Sequence, residues 1–177
     1  SNFNFFKLLF KLKVIPVPNS SFPIKTSNPI ITLRNFKINS KDRILKCNDF
    51  EAILRQLIVK QIPISYVESF SELSKMSYRL NWPRSPKTIF TSNSHNSDDV
   101  FKEYAARCID VSKSKLIIGQ HGGNYGIGEF NFNEKHEIEI CHKYLSWGWK
   151  SNDKKVIPFG QLKLKNPIKV KNSEKQH

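Results

Sequence analysis

Between Lys87 and Gly119 the hydrophobic period changes twice, and this segment constrains the fold more than any other. Lys87-Thr88-Ile89-Phe90-Thr91 is a short β-branched run of strand type. Asp98 then stands as an N-cap before Val100, Phe101, Tyr104, Ala105 and Cys108, which recur at helical spacing. Lys115-Leu116-Ile117-Ile118-Gly119 is a second, more apolar strand. Strand, helix and strand within about 30 residues make a βαβ unit, which lays its strands parallel in one sheet with a right-handed crossover. The fold class is therefore α/β. Residues 87–91 and 115–119 should be adjacent parallel strands joined by a helix over about 98–109. Ligands of such sheets bind beyond the carboxyl ends of the strands. Two loops fall there, a polar one from Ser92 to Ser97 and a glycine-rich one from Gln120 to Gly128.

The rest of the chain divides around this unit. Asp49 reads as an N-cap for a helix over 50–60, with Phe50, Ile53, Leu54, Leu57 and Ile58 at amphipathic spacing and Pro63 ending it. A second helix from Val67 to Leu80 sets Phe70, Leu73, Met76 and Leu80 on one side. Trp82-Pro83-Arg84-Ser85-Pro86 is a stiff turn. Residues 3–15 are apolar but broken by Lys7, Lys11 and Lys13, too short and too charged to span a bilayer of about 30 Å. They lack a small-residue cleavage site, so a signal peptide is not expected. A membrane-surface helix is one option for them, but a strand or helix docked on the core is the preferred reading. Pro16, Pro18, Pro23 and Pro29 make residues 16–30 a connector, and 31–38 reads as a strand. The expected organisation is a basic N-terminal segment with its proline-rich connector over 1–45, an α/β portion over 46–149, and a Lys-rich tail over 150–177.

Composition narrows the class. With 177 residues and 38% hydrophobic content the chain can build a core of ordinary domain size. The net charge of +14 is uneven: +7 falls on residues 1–49, +6 on 150–177, and only +1 on the stretch between. A nucleic-acid domain would more often gather its basic residues on one folded face among stacking aromatics, so no specific nucleic acid is expected. The basic ends are either solvated tails or attracted to something anionic, such as lipid headgroups or phosphates. Cys47, Cys108 and Cys141 are too sparse for a disulfide framework and include no Cys-x-x-Cys pair, so a reducing compartment is the default. The chain begins with Ser1, as a piece of a longer polypeptide would.

The chemistry-bearing residues gather after the second strand. Five of the seven glycines lie between Gly119 and Gly128. Their spacing fits neither Gly-x-Gly-x-x-Gly opening a helix nor Gly-x-x-x-x-Gly-Lys-Ser/Thr, which removes the dinucleotide and P-loop readings. An anion cradle and a tight loop without a ligand both remain. His121 follows an apolar strand and precedes two glycines, a place for a general base or for a histidine that holds the loop. His136 and His142 are six apart and share no helix face as zincin histidines do, so no metal site is expected from Glu134 to His142. Glu137 or Glu139 could instead orient His136 or His121. Cys108 and Cys141 read as buried structural thiols. Trp147-Gly148-Trp149 suits either stacking on a ligand or plugging the end of an element.

One combination is specific. Trp82-Pro83, Ile89-Phe90-Thr91-Ser92-Asn93-Ser94, Phe101, Ile118-Gly119-Gln120-His121-Gly122-Gly123-Asn124-Tyr125-Gly126, His136-Glu137-Ile138-Glu139 and Leu145-Ser146-Trp147-Gly148-Trp149 together resemble a family of bacterial transferases from surface-carbohydrate loci of the O-antigen and capsule type. The resemblance spans roughly residues 80–160. It implies a Rossmann-like parallel sheet flanked by helices, one incomplete half of a glycosyltransferase B-type fold. More distantly, the His-Gly element is similar to that of CDP-glycerol glycerophosphotransferases and capsule Kdo transferases, where a histidine at a strand's end is the general base on the acceptor hydroxyl. By position that role falls on His121. Family members are much longer, so the resemblance also implies a fragment, or a subunit whose second domain another chain supplies.

The expected function is therefore glycosyl or glycerophosphate transfer in surface-polysaccharide biosynthesis. The donor would be a nucleotide-activated sugar or glycerol, and the acceptor a glycan or lipid-linked glycan. His121 would be catalytic. Ser92, Asn93, Ser94, Gln120, Gly122, Gly123, Asn124, Tyr125, His136 and Glu137 would bind substrate. No cofactor and no metal are expected. The expected location is the cytoplasm, at the inner face of the membrane. The alternative is a non-catalytic basic module that binds anionic membrane or nucleic acid through its charged ends.

Overall fold

A computed structural model describes residues 2–17, 34 and 49–161. The strand expected over 31–38, most of the proline connector, Cys47 and the tail beyond residue 161 lie outside the described residues. The chain forms two compact units, Ser1–Pro86 with Ser94–Lys113, and Lys87–Asn93 with Ser114–His177.

The second unit holds a four-stranded sheet in the order β1-β2-β3-β4, formed by Thr88–Thr91, Lys115–Gly119, Lys143–Ser146 and Val156–Pro158. All three pairings are parallel. The expected pair is adjacent, with Ile89 opposite Leu116 and Thr91 opposite Ile118. This is an α/β fold of Rossmann-like type. β3 and β4 are additions that the sequence reading did not foresee. β3 holds no β-branched residue and β4 is cut off by Pro158, so neither shows the β-branched run that marks β1. Inward positions alternate as the pleat requires: Leu116 and Ile118 on β2, Tyr144 and Ser146 on β3, with Val156 on β4, are buried.

The segment from Glu134 to His142 is mostly helix. α6, as numbered along the chain, covers Phe132–Ile140. Asn131 is its N-cap and accepts the Glu134 N–H through Oδ1 at 3.1 Å. At the other end Lys155 Nζ donates to the carbonyls of Ile138 and Glu139, at 2.9 and 3.0 Å, which answers orphan acceptors of the last turn. Cys141 is buried just beyond it, and burial pushes its thiol up to about 11.

The first unit is helical: α1 Asn2–Leu12, α2 Asp49–Gln61, a 3-10 turn at Ile64–Tyr66, α3 Phe70–Arg79, α4 Ser94–Ser97 and α5 Asp99–Ser112. Asp98 caps α5 as expected, accepting the Phe101 N–H at 2.9 Å. The helix runs three residues past its expected end, to Ser112, and Lys113 with φ 56° stops it. α5 packs on α3, and its Tyr104 ring stands edge-on to Trp82 at 4.9 Å. The Trp82–Pro86 turn gives its carbonyls to α5: Tyr104 donates to Pro83 at 2.7 Å, and the Cys108 thiol approaches that of Arg84 at 3.7 Å. Burial pushes the Tyr104 phenol up to about 12.

Three expectations need correction here. Ser94–Ser97 is a helical turn, not part of an irregular loop. The inward stripe of α3 is Leu73 and Ser77, one turn apart, and Phe70 is exposed. Ser77 is taken inward because Arg107 donates to its hydroxyl at 2.8 Å. α2 forms where its period placed it, yet Phe50, Ile53, Leu54, Leu57 and Ile58 are exposed and Val59 is buried instead.

Candidate active site

The carboxyl ends of β1, β2 and β3 release three segments beginning at Ser92, Gln120 and Trp147. A Cβ added at Gly119 would stand 3.2 Å from Ser92 Oγ, so Ser92 sits against the end of β2. Asn93 is exposed beside it. Ser94 opens α4 and belongs to the first unit.

Gln120 anchors the second segment. Its side chain is buried, its Nε2 donates to the Gly122 carbonyl at 2.7 Å, and its Oε1 accepts both the Trp147 N–H and Trp149 Nε1, each at 2.8 Å. One amide thus ties the glycine loop to the Ser-Trp-Gly-Trp turn. Trp149 is the plug, not an open stacking platform. Its indole lies 6.0 Å from the Tyr144 ring and directly against Gly126. Gly126 has φ 75°, and a Cβ there would lie 2.7 Å from the indole. Its N–H donates to Glu134 at 2.6 Å, which stitches the loop to the first turn of α6.

The loop so held presents His121 outward with its side chain 28% exposed, while Glu137 behind it is 0% exposed. His121 Nδ1 is 3.6 Å from Glu137 Oε1. Tyr125 donates its hydroxyl proton to the same oxygen at 2.8 Å, and that hydroxyl is 3.5 Å from His121 Nε2. The two rings meet edge-on at 5.4 Å. Burial first, then the hydrogen bond to Glu137, holds the Tyr125 phenol well above its ordinary range. Burial does the same to Tyr144, with the Glu137 charge next in effect. Both phenols therefore stay protonated as donors. A ring carrying a proton on Nδ1 turns it toward Glu137. A ring carrying both protons also answers the Tyr125 oxygen. At 3.5 and 3.6 Å the two contacts stand at the outer limit of hydrogen bonding.

Of the residues singled out from sequence, His121, Tyr125 and Glu137 converge. Gly123 and Asn124 form the exposed rim of the same loop, and Gly122 beside them is half-buried. His136 does not join them: it stacks on Phe132, 6.1 Å away on the exposed side of α6. Among the described residues no three His, Cys, Asp or Glu side chains converge on a metal site. Sequence reasoning missed Tyr144 and Glu134. The second carried a signal: Asn131 and Glu134 have capping-box spacing, although the carboxylate reaches Gly126 and not back to its own cap.

The family model described as LIC12162 family transferase matches residues 1–177. The chain belongs to that transferase family. The match takes in the basic ends as well as the core, a wider span than residues 80–160. This transferase therefore works on two substrates, a donor and an acceptor. No curated protein and no solved structure matches the chain. Among the described residues of this transferase no helix is long and apolar enough to cross a membrane.

Proposed function

We propose that the chain carries the acceptor side of a glycosyl or glycerophosphate transferase, with His121 as general base. The observation that carries this reading is the pairing of an exposed imidazole at a strand's carboxyl end with a fully buried carboxylate behind it. Glu137 stands behind Nδ1, and Nε2, which lies 3.5 Å from the Tyr125 hydroxyl, is the nitrogen left to take the acceptor's proton. The acceptor hydroxyl gives its proton to Nε2 as its oxygen attacks the anomeric carbon or the phosphorus of the donor. A C–O or P–O bond forms there. The bond from that atom to the nucleotide phosphate breaks, and the departing oxygen keeps the electron pair. The imidazolium, neutralised by Glu137, then returns its proton to water.

Gly122, Gly123 and Asn124 supply backbone N–H and amide donors to the substrate or its phosphate. Ser92 and Asn93 line the neighbouring strand end. Gln120 acts by fixing the loop. The donor class, a nucleotide-activated sugar or glycerol, and the acceptor class, a glycan or lipid-linked glycan of the cell surface, follow from the resemblance of the Gln-His-Gly-Gly-Asn-Tyr-Gly and Ser-Trp-Gly-Trp elements. The test is turnover of the complete transferase with donors of both kinds. His121→Ala should cost about 10²- to 10⁴-fold, the range of a general base, with the chain still folded. Near-normal turnover removes His121 from the mechanism.

A further inference from the structure

We propose that α1 is a membrane-surface anchor that seats this chain on an anionic lipid bilayer, independently of the reaction assigned to His121. Lys7 and Lys11, one turn apart, share a stripe of the helix, and both are exposed. Leu8 and Leu12 form the stripe on one flank of the lysines, and Phe10 lies on the other. All three are exposed, Phe10 by 87%. The chain leaves the helix at Lys13, with φ 54°, and continues through Val14, Ile15 and Val17, which are exposed too. Six large apolar side chains in ten residues thus stand in solvent around three lysines.

The charge identifies the occupant. No acidic residue occurs before Asp42, while seven Lys and Arg do. A protein groove would take a narrow apolar stripe and has no need of an acid-free segment. Nucleic acid would draw the lysines but leave Leu8, Phe10, Leu12 and Ile15 in water. A bilayer of anionic lipids satisfies both features. Apolar side chains enter the acyl boundary while lysine stems let the ammonium groups reach the headgroups. Lys7 and Lys11 interrupt its apolar residues, which places the helix in the interface.

The experiment is co-sedimentation of the full chain with vesicles of phosphatidylcholine, with and without about 30% phosphatidylglycerol. Binding should need the anionic lipid and fall steeply as salt rises from about 0.1 M towards 1 M, where the Debye length shrinks from about 10 Å to 3 Å. Lys7→Glu, Lys11→Glu and Lys13→Glu together should weaken binding by about 100-fold or more, at about fivefold per lysine. Phe10→Ser with Leu12→Ser should weaken it while leaving the salt dependence in place. No sedimentation of the wild-type chain, equal binding to neutral vesicles, or a lysine variant that binds like wild type overturns the proposal. So does full displacement from the vesicles by RNA at low excess. The salt titration uses the unaltered chain, so it stands even if a variant folds poorly.

Discussion

Gly126→Ala tests whether the glycine loop is held as described. The residue has φ 75°, where an L side chain costs about 1–2 kcal/mol. Its new Cβ would meet three indole atoms of Trp149 at 2.7–2.8 Å. That indole cannot simply swing away, because its Nε1 is bonded to Gln120 at 2.8 Å and Tyr144 lies beside it. Overpacking of this kind costs about 1–3 kcal/mol. The combined loss is about 2–5 kcal/mol, a large part of a typical domain's stability of about 5–15. Gly123→Ala is the control: its Cβ meets nothing within 4 Å and its φ is not positive, so it should change stability by less than about 0.5 kcal/mol. Urea unfolding of the full chain, followed by tryptophan fluorescence, gives both values. In a Trp149→Ala background the clash is gone, and Gly126→Ala should then cost only the backbone strain. A Gly126→Ala chain within about 0.5 kcal/mol of wild type refutes the packing argument.

Gln120→Ala should destabilise by about 2–4 kcal/mol in the same assay, because it strands the Trp147 N–H, Trp149 Nε1 and the Gly122 carbonyl together. Asp98→Ala should cost about 1 kcal/mol through the lost cap of α5, read as a drop in helicity and melting temperature. Stability should also fall as pH rises above about 10. Tyr104, Tyr125 and Tyr144 keep their protons in the folded chain above the ordinary phenol value of 10.0, while the unfolded chain releases them, so the folded state's advantage is complete below 10 and shrinks as pH climbs. For Tyr104 the loss runs from 10 to about 12. Thermal melts of Tyr125→Phe across that range should show a shallower decline than wild type, by one proton.

The βαβ core was legible because its strands are β-branched and apolar runs and its helix is long enough to show a period. Ile89 and Thr91, Leu116 and Ile118, and the α5 stripe of Val100, Phe101, Tyr104, Ala105 and Cys108 are buried. α6 was harder to see, since its apolar residues follow no stripe and its one buried member is a glutamate. That glutamate explains both the obscurity and the site. Glu137 is inside because Tyr125 donates to it and His121 lies beside it, contacts made across 12 and 16 positions of sequence. His121 and Glu137 could be named from sequence as candidate partners. That Gln120 is an anchor, or that Trp149 covers Gly126, could not, because those contacts join residues 29 and 23 positions apart through turns with no period of their own.

A double-mutant cycle on His121 and Glu137, read as single-turnover rate in the complete transferase, tests the central claim most directly. Glu137→Gln keeps an acceptor for the Tyr125 hydroxyl but removes the charge behind the imidazole. If Glu137 acts through His121, Glu137→Gln alone slows the reaction. Added to His121→Ala, which by itself costs about 10²- to 10⁴-fold, it should slow it no further. Turnover near normal in His121→Ala, or a Glu137→Gln penalty that persists undiminished when the imidazole is absent, contradicts the account.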